Sequence, residues 1–439
     1  MTSSSTVGPL FTDLYQLTMA AGYFERKMYA PATFSLFVRS HPKRPYFVAA
    51  GLQEALKQLA TFHFSDDDLK YLKSLSLFEH NFLDYLSRLQ FEGDIFALPE
   101  GTIFFGNEPL LEVTAPIIQA QLLETYLINV IGSATLIATK AARCVQAAKN
   151  RPVIDFSLRR TQSISAGMTT ARCSYMAGFS ATSNVLAGKR FGLPVAGTMA
   201  HSFVTAFESE IEAFRAYARI FPDVSIFLID TYDTIKGALN AVTVGLEMNK
   251  LGHGLKGVRL DSGDMVVLSH KVRKILDQAG LYDVKIFVSS GFDEYKIEEI
   301  LAKKAKIDAF GVGTKMGVSA DAPFLDIVYK LVRFDNRDVK KFSPEKVTLA
   351  GPKQVFRKKS ADDKFKGDVI ASRTENIPHA KPLLEKVMEK GQIKSEFEPI
   401  DALRNRCRQQ LASLMPDLKK ANSSTAYPVT VSPKLASIQ

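Results

Sequence analysis

Polar residues that can bind anions or metal ions recur at one kind of position in this chain, directly after short apolar runs. They are Ser157 and Arg159, Thr198 and His201, Asp230, Asp261 and Asp264, Ser290 and Gly291, and Gly313 and Thr314. Carboxylates suit Mg²⁺ shared with substrate phosphates, arginines suit carboxylate or phosphate groups, and a neutral imidazole can act as a nucleophile. A single such residue is ordinarily a helix cap or a turn residue. Their recurrence after successive runs predicts an active site for anionic substrates.

The segment DAFGVGTKMG, residues 308–317, is a candidate phosphate-binding loop. It places small residues and backbone N–H groups after an apolar run, although a tight turn would use the same residues. The literal G-x-G-x-x-G at residues 252–257 precedes an apolar run, whereas a dinucleotide-binding loop must follow a strand. The chain contains no G-x-x-x-x-G-K-[ST], H-E-x-x-H or G-x-S-x-G motif, which argues against the commonest NTPases, zinc proteases and α/β-hydrolases.

The elements that position these residues are predicted by an alternation of short apolar runs with helix-length segments. The runs cover residues 153–156, 195–198, 225–230, 257–261, 285–289 and 307–313. This pattern predicts a parallel sheet, either open and doubly wound or closed as a barrel, and the number of units favours the barrel. Because active sites of α/β barrels lie at the carboxyl ends of the strands, the polar residues should meet in space.

The residues before and after this alternation predict further structure. S-D-D-D at residues 65–68 fits a helix capping box, residues 94–116 alternate apolar segments with turn signals as antiparallel strands do, and residues 117–149 are typical of a buried helix. We therefore predict an α/β fold, an irregular TIM-like barrel over residues 121–330 with an α+β N-terminal domain over residues 1–120. A basic segment, residues 331–439, should pack back on the N-terminal domain, with a flexible tail from about residue 422.

The net charge of +10 comes from the C-terminal quarter, where residues 330–439 hold 23 Lys+Arg against 13 Asp+Glu. The most basic stretch, R-K-K-S at residues 357–360, lacks the interleaved aromatic residues of nucleic-acid-binding modules. We interpret it as a solvated basic face compatible with anionic substrates, and we expect no nucleic-acid partner.

The cellular location is predicted from what the sequence lacks. The N-terminus has no basic and apolar leader pattern, no apolar run is long enough to span a bilayer, and the three cysteines fit neither a disulfide framework nor a zinc ribbon. We therefore expect a cytoplasmic protein without a membrane partner.

Seven segments, in order along the chain, resemble the nicotinate phosphoribosyltransferase family of type II phosphoribosyltransferases. They are TDLYQLTMAAGY (12–23), DFSLRRTQ (155–162), SNVLAG (183–188), GTMAHSFV (197–204), DTYD (230–233), GVRLDSGD (257–264) and GVGT (311–314). The resemblance extends from residue 12 to about residue 330. It implies the conversion of nicotinate and phosphoribosyl pyrophosphate to nicotinate mononucleotide and pyrophosphate, coupled to ATP hydrolysis, with Mg²⁺, in the salvage of NAD.

The resemblance also implies roles for residues that bind the pyridine and its carboxylate. Tyr15 and Phe156 would stack on the two faces of the ring, and Thr198 would contact nicotinate. Arg159 and Arg259 would bind anionic groups, either the nicotinate carboxylate or phosphates. In several relatives the N-terminal aromatic residue reaches a neighbouring subunit, which makes a homodimer a candidate assembly beside a monomer.

The remaining implied roles concern phosphate and energy coupling. A set of small residues, Gly291, Gly313 and Thr314, would hold the 5′-phosphate. His201 corresponds to the histidine that ATP phosphorylates in the family, and Asp230 or Asp261 would accept a hydrogen bond from its imidazole. With Arg259 these residues form the expected catalytic group, and the same two carboxylates are candidate Mg²⁺ ligands.

Ser183 distinguishes nicotinate from nicotinamide as the substrate. In the related nicotinamide phosphoribosyltransferases an aspartate stands at the matching position and accepts from the amide, whereas a carboxylate would repel nicotinate. The serine therefore favours nicotinate. The alternatives are nicotinamide phosphoribosyl transfer, a catalytically silent relative that binds anions or nucleic acid, or a sugar-phosphate aldolase or isomerase on a similar barrel. The aldolase or isomerase lacks support because no lysine or glutamate follows a predicted strand in a suitable place.

Overall fold

The structure is a computed structural model that describes residues 8–341 and 348–439. The first seven residues, which belong to the sequence from which the absence of a leader was predicted, lie outside the described residues. Residues 342–347, which belong to the predicted basic C-terminal segment, also lie outside them.

The described chain contains nineteen strands, numbered in chain order. They are β1 (Pro31–Val38), β2 (Phe47–Val48), β3 (Asp94–Ala97), β4 (Ile103–Phe104), β5 (Pro109–Pro116), β6 (Val153–Asp155), β7 (Ala181–Thr182), β8 (Ile226–Leu228), β9 (Gly257–Leu260), β10 (Lys285–Val288), β11 (Ala309–Val312), β12 (Ile327–Phe334), β13 (Arg337–Asp338), β14 (Lys353–Lys359), β15 (Phe365–Ser372), β16 (Ala380–Pro382), β17 (Glu385–Glu389), β18 (Gln392–Ile393) and β19 (Val429–Val431).

Sixteen α-helices occur in the same described residues. They are α1 (Leu14–Glu25), α2 (Leu52–Leu59), α3 (Asp66–Ser74), α4 (His80–Leu86), α5 (Ile117–Leu122), α6 (Glu124–Ala148), α7 (Ile164–Ala177), α8 (Val185–Phe191), α9 (His201–Thr205), α10 (Glu210–Ile220), α11 (Thr234–Lys250), α12 (Met265–Gln278), α13 (Glu294–Ala302), α14 (Thr314–Gly317), α15 (Ile400–Ser413) and α16 (Pro433–Ser437). Short 3₁₀ helices cover Leu158–Arg160 and Pro416–Lys419.

The chain divides into two compact units. The first contains residues 1–139, 324–418 and 423–439, and the second contains residues 140–323 and 419–422. The division falls within helix α6, later than the boundary at residue 120 that the sequence predicts. The reason is that the apolar helical segment continues without a break from the first unit into the second.

Antiparallel pairing organises the first unit. Its largest sheet has seven strands in the order β13-β12-β1-β5-β3-β17-β18, so that three strands from the N-terminal part are flanked on each side by two strands from the C-terminal part. A four-stranded sheet, β16-β14-β15-β19, and the pair β2-β4 complete the strands. The core is strongly apolar, and the rings of Phe34 and Tyr329 stack within it with centroids 4.7 Å apart. Helix α3 begins with the predicted capping box, in which Ser65 and Asp68 bond each other's backbone N–H.

A parallel sheet forms the centre of the second unit. Its six strands have the order β7-β6-β11-β10-β9-β8, and helices connect them along the chain. Five of the strands coincide with predicted runs, and most of their residues are buried, as expected for strands covered on both faces. The α/β class with an additional N-terminal domain is therefore confirmed. Within the described residues the sheet has six strands rather than the eight of a regular barrel, and its edge strands β7 and β8 do not pair with each other, so it departs from a regular barrel.

One predicted strand and the predicted tail differ from the structure. Residues 195–198 form only a single parallel bridge, between Val195 and Thr182, because the neighbouring strand β7 is only two residues long. Beyond residue 422, where a flexible tail is predicted, β19 pairs in parallel with β15 and Ser432 caps helix α16. The tail prediction is wrong for these residues, whose backbone groups are used in the sheet and the helix.

Within residues 8–341 and 348–439, no helix has the length and apolar character needed to cross a membrane.

Candidate functional site

The carboxyl ends of the parallel strands surround a cavity of about 350 Å³ in the second unit. Parallel strands end at the same edge of a sheet, so residues that follow different strands meet there. The cavity is lined by Phe156, Arg159, Arg160, Ser183, Gly197, Thr198, Met199, Ala200, His201, Arg259, Asp261, Ser289, Ser290, Gly291, Gly311, Gly313 and Thr314.

Ten of the twelve predicted site residues are in this lining. Asp230 is not, but its side chain accepts hydrogen bonds from the backbone N–H of Asp261 at 2.8 Å and from the hydroxyl of Ser262 at 2.7 Å. Tyr15 belongs to helix α1 of the first unit, where its side chain is 49% exposed. Its role in stacking stays a prediction.

Phe156 lies beside two glycines, Gly311 in the neighbouring strand β11 and Gly313 directly after it. Its backbone N–H donates to the carbonyl of Val312 at 2.8 Å. A Cβ at Gly311 would lie 2.6 Å from the phenyl ring, and one at Gly313 would lie 3.1 Å from the carbonyl oxygen of Phe156. A side chain at Gly311 would clash with the ring and one at Gly313 would be crowded against the backbone, so both glycines allow the close approach of Phe156.

Asp155 supports the turn that carries Phe156 and Arg159. One of its carboxylate oxygens accepts from the backbone N–H of Ser157 at 2.9 Å and from its hydroxyl at 2.6 Å, and the other accepts from Thr182 at 2.8 Å. Burial raises the pKa of this carboxyl, and these hydrogen bonds oppose the shift. The residue thus joins the ends of β6 and β7 beneath the cavity.

Arg259 is the most buried cation of the site. Its guanidinium donates a hydrogen bond to the hydroxyl of Thr198, and its Nε atom is buried without a hydrogen-bond partner in the described part of the chain. Burial lowers the pKa of this guanidinium, while Asp261 and Asp230 raise it and Arg159 lowers it further. Two arginines that repel each other inside one cavity form a site for an anion.

His201 is the first residue of helix α9 and is partly exposed to the cavity. Its Nδ1 atom lies 3.1 Å from the hydroxyl of Thr231, and its Nε2 atom lies 3.9 Å from a carboxylate oxygen of Asp261. The nearest hydrogen-bond partner is therefore Thr231, not Asp230 or Asp261 as predicted. Asp261 is nevertheless the closest carboxylate, and its other oxygen accepts from Ser289.

The site includes residues that sequence reasoning did not assign. Arg160 and Ser289 line the cavity, and Thr231 contacts His201. Arg160 and Thr231 each stand next to an assigned residue, in the motifs DFSLRR and DTYD. Their membership in these motifs could therefore have identified them as site residues. Ser289 ends the predicted run at residues 285–289. Nothing in the sequence distinguishes it as a site residue from an ordinary residue of the strand.

The carboxylates of the site suit a shared cation more than a protein cage. No group of three or more histidine, cysteine, aspartate or glutamate side chains with metal-binding geometry occurs in residues 8–341 and 348–439. Asp230 has one buried carboxylate oxygen without a hydrogen-bond partner among these residues, and its other oxygen connects it to Asp261. One or two carboxylates together with substrate oxygens form the usual protein site for Mg²⁺.

Comparisons with known proteins cover both units. Models of the nicotinate phosphoribosyltransferase N-terminal domain, family and C-terminal domain match residues 10–132, 152–347 and 378–439. A nicotinate phosphoribosyltransferase of Mycobacterium tuberculosis is 45% identical over 98% of this chain and 92% of its own length, and one of Bacillus subtilis is 39% identical over 96% and 92%.

Solved structures agree with the sequence comparisons. The crystal structure of human nicotinic acid phosphoribosyltransferase matches with a TM-score of 0.87 and 30% identity, covering 97% of this chain and 99% of that one. The nicotinate-nucleotide pyrophosphorylase of Pyrococcus furiosus matches with a TM-score of 0.77 and 25% identity, over 94% and 97% of the two chains. With similarity along almost its whole length, the chain belongs to the nicotinate phosphoribosyltransferase family.

Proposed function

We propose that this chain transfers a phosphoribosyl group from phosphoribosyl pyrophosphate to nicotinate, producing nicotinate mononucleotide and pyrophosphate for the salvage of NAD. The observation that carries the proposal is the cavity at the carboxyl ends of the parallel strands, which combines an aromatic face, arginines, carboxylates and small-residue turns. In the reaction the bond from the ribose C1 to the pyrophosphate oxygen breaks and a bond from C1 to the pyridine nitrogen forms.

Binding of nicotinate is assigned to Phe156, Arg259 and Thr198. The phenyl ring provides a flat apolar surface for the pyridine, and the buried guanidinium provides charge-assisted donors for the carboxylate. The contact between Arg259 and Thr198 orients the guanidinium before the substrate arrives. Such preorganisation holds the pyridine nitrogen in line with C1 and lowers the entropic part of the barrier.

Departure of the pyrophosphate develops positive charge on the ribose and negative charge on the leaving oxygens. Asp230 and Asp261 would hold Mg²⁺, which when bound neutralises the leaving group. The free oxygen of Asp230 and the oxygen of Asp261 that faces His201 support this assignment. Arg159 and Arg160, which line the same cavity, would bind further phosphate oxygens.

Coupling to ATP is assigned to His201. A nitrogen of its neutral imidazole would attack the γ-phosphorus of ATP, forming an N–P bond as the bond to ADP breaks, and water would later release phosphate from the imidazole. The hydrogen bond between Nδ1 and Thr231 and the exposure of the ring to the cavity support this role. Hydrolysis of ATP by way of the phosphorylated histidine would thereby be coupled to the affinity of the site for its substrates.

Selectivity for nicotinate over nicotinamide is the direct test of the base-binding assignment. Ser183 lines the cavity, so Ser183→Asp would place a carboxylate near the acid substrate. We expect the KM for nicotinate to rise about ten-fold or more through charge repulsion. Steady-state kinetics with nicotinate and with nicotinamide measure this effect.

The matched control is Ser180→Asp, which adds the same charge at an exposed position just before β7. It should leave the KM for nicotinate unchanged. A preference of the unaltered protein for nicotinamide would overturn the substrate assignment, whatever the variants do.

A further inference from the structure

Two turns form the part of the cavity that is assigned to the 5′-phosphate. One follows β10 and contains Ser290 and Gly291, and the other follows the neighbouring strand β11 and contains Gly313 and Thr314. Ser290 and Gly291 both have left-handed backbone conformations, with φ of 84° and 67°. A left-handed backbone conformation is unfavourable for a residue other than glycine, so neighbouring contacts must hold Ser290 in place.

Lys296 on helix α13 provides one of these contacts. Its ammonium group donates a hydrogen bond to the carbonyl of Ser290 at 3.2 Å and lies 4.6 Å from the centroid of the Phe292 ring. The first turn is therefore attached to the helix that follows it.

Asp293 connects the first turn to the second. One of its carboxylate oxygens caps helix α13 by accepting from the backbone N–H of Lys296 at 3.0 Å. The other lies 3.0 Å from the ammonium group of Lys315, the residue after Thr314. The side chain of Asp293 is only 10% exposed, whereas that of Lys315 is 44% exposed.

This arrangement places a carboxylate close to a phosphate-binding turn. Asp293 is two residues beyond Gly291 in sequence, and a sheltered carboxylate beside a phosphate site repels a phosphate dianion. Asp293 provides the oxygen acceptor that caps helix α13, and it also brings a negative charge that a nearby cation can balance. Lys315 is that cation, and it approaches from the opposite turn.

We propose that Lys315 is a positioning residue for phosphoribosyl pyrophosphate, which acts by neutralising Asp293 and by holding the two turns at the spacing that the phosphate requires. This inference rests on the proposed function, because the phosphate-binding role of the two turns does. It assigns to Lys315 an indirect effect through Asp293 and no direct contact with the substrate.

The test measures binding by calorimetry, in the presence of Mg²⁺, with phosphoribosyl pyrophosphate and with inorganic phosphate as probes. Lys315→Met should weaken binding of phosphoribosyl pyrophosphate about ten-fold, because it leaves the Asp293 carboxylate unbalanced. Addition of Asp293→Asn should restore most of the affinity, since asparagine still caps the helix and carries no charge. The KM for nicotinate should stay constant in both variants.

Lys303→Met is the matched control, because Lys303, directly after helix α13, forms an exposed ion pair with Glu299 on that helix. It should leave the affinity unchanged. The proposal is overturned if the double variant binds as weakly as Lys315→Met, which would make Lys315 a direct ligand, or if Lys315→Met behaves like the control.

The binding measurement separates this inference from the proposed function. If the unaltered protein binds phosphoribosyl pyrophosphate but forms no mononucleotide, the proposed function fails while the affinities of the variants still decide the role of Lys315. If the unaltered protein binds neither probe, both proposals fail.

Discussion

At the scale of single residues, the site depends on contacts that orient groups before a substrate arrives. Thr198 holds the guanidinium of Arg259, Thr231 holds the imidazole of His201, and Ser289 holds the carboxylate of Asp261. Each hydroxyl replaces water as the partner of a reactive side chain, so the site needs little reorganisation during the reaction.

His201→Ala tests whether ATP acts through this histidine. We expect the variant to lose the stimulation of its initial rate by ATP and to keep part of its transferase activity, because the residues assigned to bind nicotinate and phosphate remain. Rates of mononucleotide formation with and without ATP measure the effect. Equal stimulation in the variant and the unaltered protein would remove His201 from the coupling mechanism.

The site could be predicted to the extent that it consists of residues directly after strands. The positions of Asp230, Asp261 and Gly313 follow from the alternation of apolar runs, because parallel strands bring their ends together. The partner of His201 could not be found in this way. Thr231 stands one residue after the assigned Asp230, and only the side-chain geometry shows that Thr231 rather than Asp230 or Asp261 bonds Nδ1.

At the scale of elements, strand length decides which parts of the fold the sequence predicts. Runs such as residues 257–261 are long and apolar enough to be recognised, whereas β7 consists of Ala181 and Thr182 alone and is defined by its pairing with β6.

In the first unit, strands β14 and β15 carry a buried ion pair between Arg357 and Asp368, 2.5 Å apart.

Arg357→Met should destabilise the first unit strongly. The substitution leaves Asp368 buried without its cation, and removing one partner of a buried pair costs about 3–5 kcal/mol. The control is Lys359→Met, at the end of the strand that carries Arg357. It breaks an exposed ion pair with Asp363 and should cost at most about 1 kcal/mol. Denaturant unfolding measures the free energy of unfolding of both variants. An equal loss of stability in the two would contradict the expectation that burial makes the Arg357–Asp368 pair the more costly one to break.

Glu108, beside this ion pair, should make stability depend on pH. Burial raises the pKa of its carboxyl well above the usual range, Asp368 adds to the shift and Arg357 opposes it. The folded state therefore keeps a proton that the unfolded chain releases, and the corresponding stability is lost as pH rises from the unfolded pKa, about 4.3, through the folded pKa.

Glu108→Gln should remove this contribution, because glutamine stays neutral and can still accept from the backbone N–H of Phe105. We expect the free energy of unfolding to fall less steeply with rising pH in the variant. Denaturant curves at several pH values above 4 measure this, and identical slopes in both proteins would show that Glu108 ionises alike in the folded and unfolded states.

At the scale of the whole molecule, the two ends of the chain fold into one unit. Strands β12 and β17, from the C-terminal part, pair with β1 and β3 in the seven-stranded sheet. Such pairings join residues that are far apart in sequence, so periodicity alone could not determine the strand order. The second unit, with the parallel sheet, is nearly continuous in sequence. Its α/β class was therefore easier to predict than the strand order of the first unit.

The assembly is tested through Tyr15, which is half exposed in the first unit. The family resemblance leaves two candidate assemblies, a monomer and a homodimer in which this ring completes the site of the neighbouring subunit, and the test addresses a requirement for the dimer. Activity per chain should then fall on dilution in step with dissociation, with light scattering and initial rates recorded at the same concentrations. A dilute monomer that retains full activity would contradict the dimer requirement.

The most direct test of the central claim is product formation by the purified protein with phosphoribosyl pyrophosphate, Mg²⁺ and either nicotinate or nicotinamide, each with and without ATP. Mononucleotide and pyrophosphate are both quantified. The account predicts nicotinate mononucleotide and pyrophosphate in equal amounts, formed faster with ATP and with little product from nicotinamide. Absence of product with either base would contradict it and leave a protein of this family without the transferase activity.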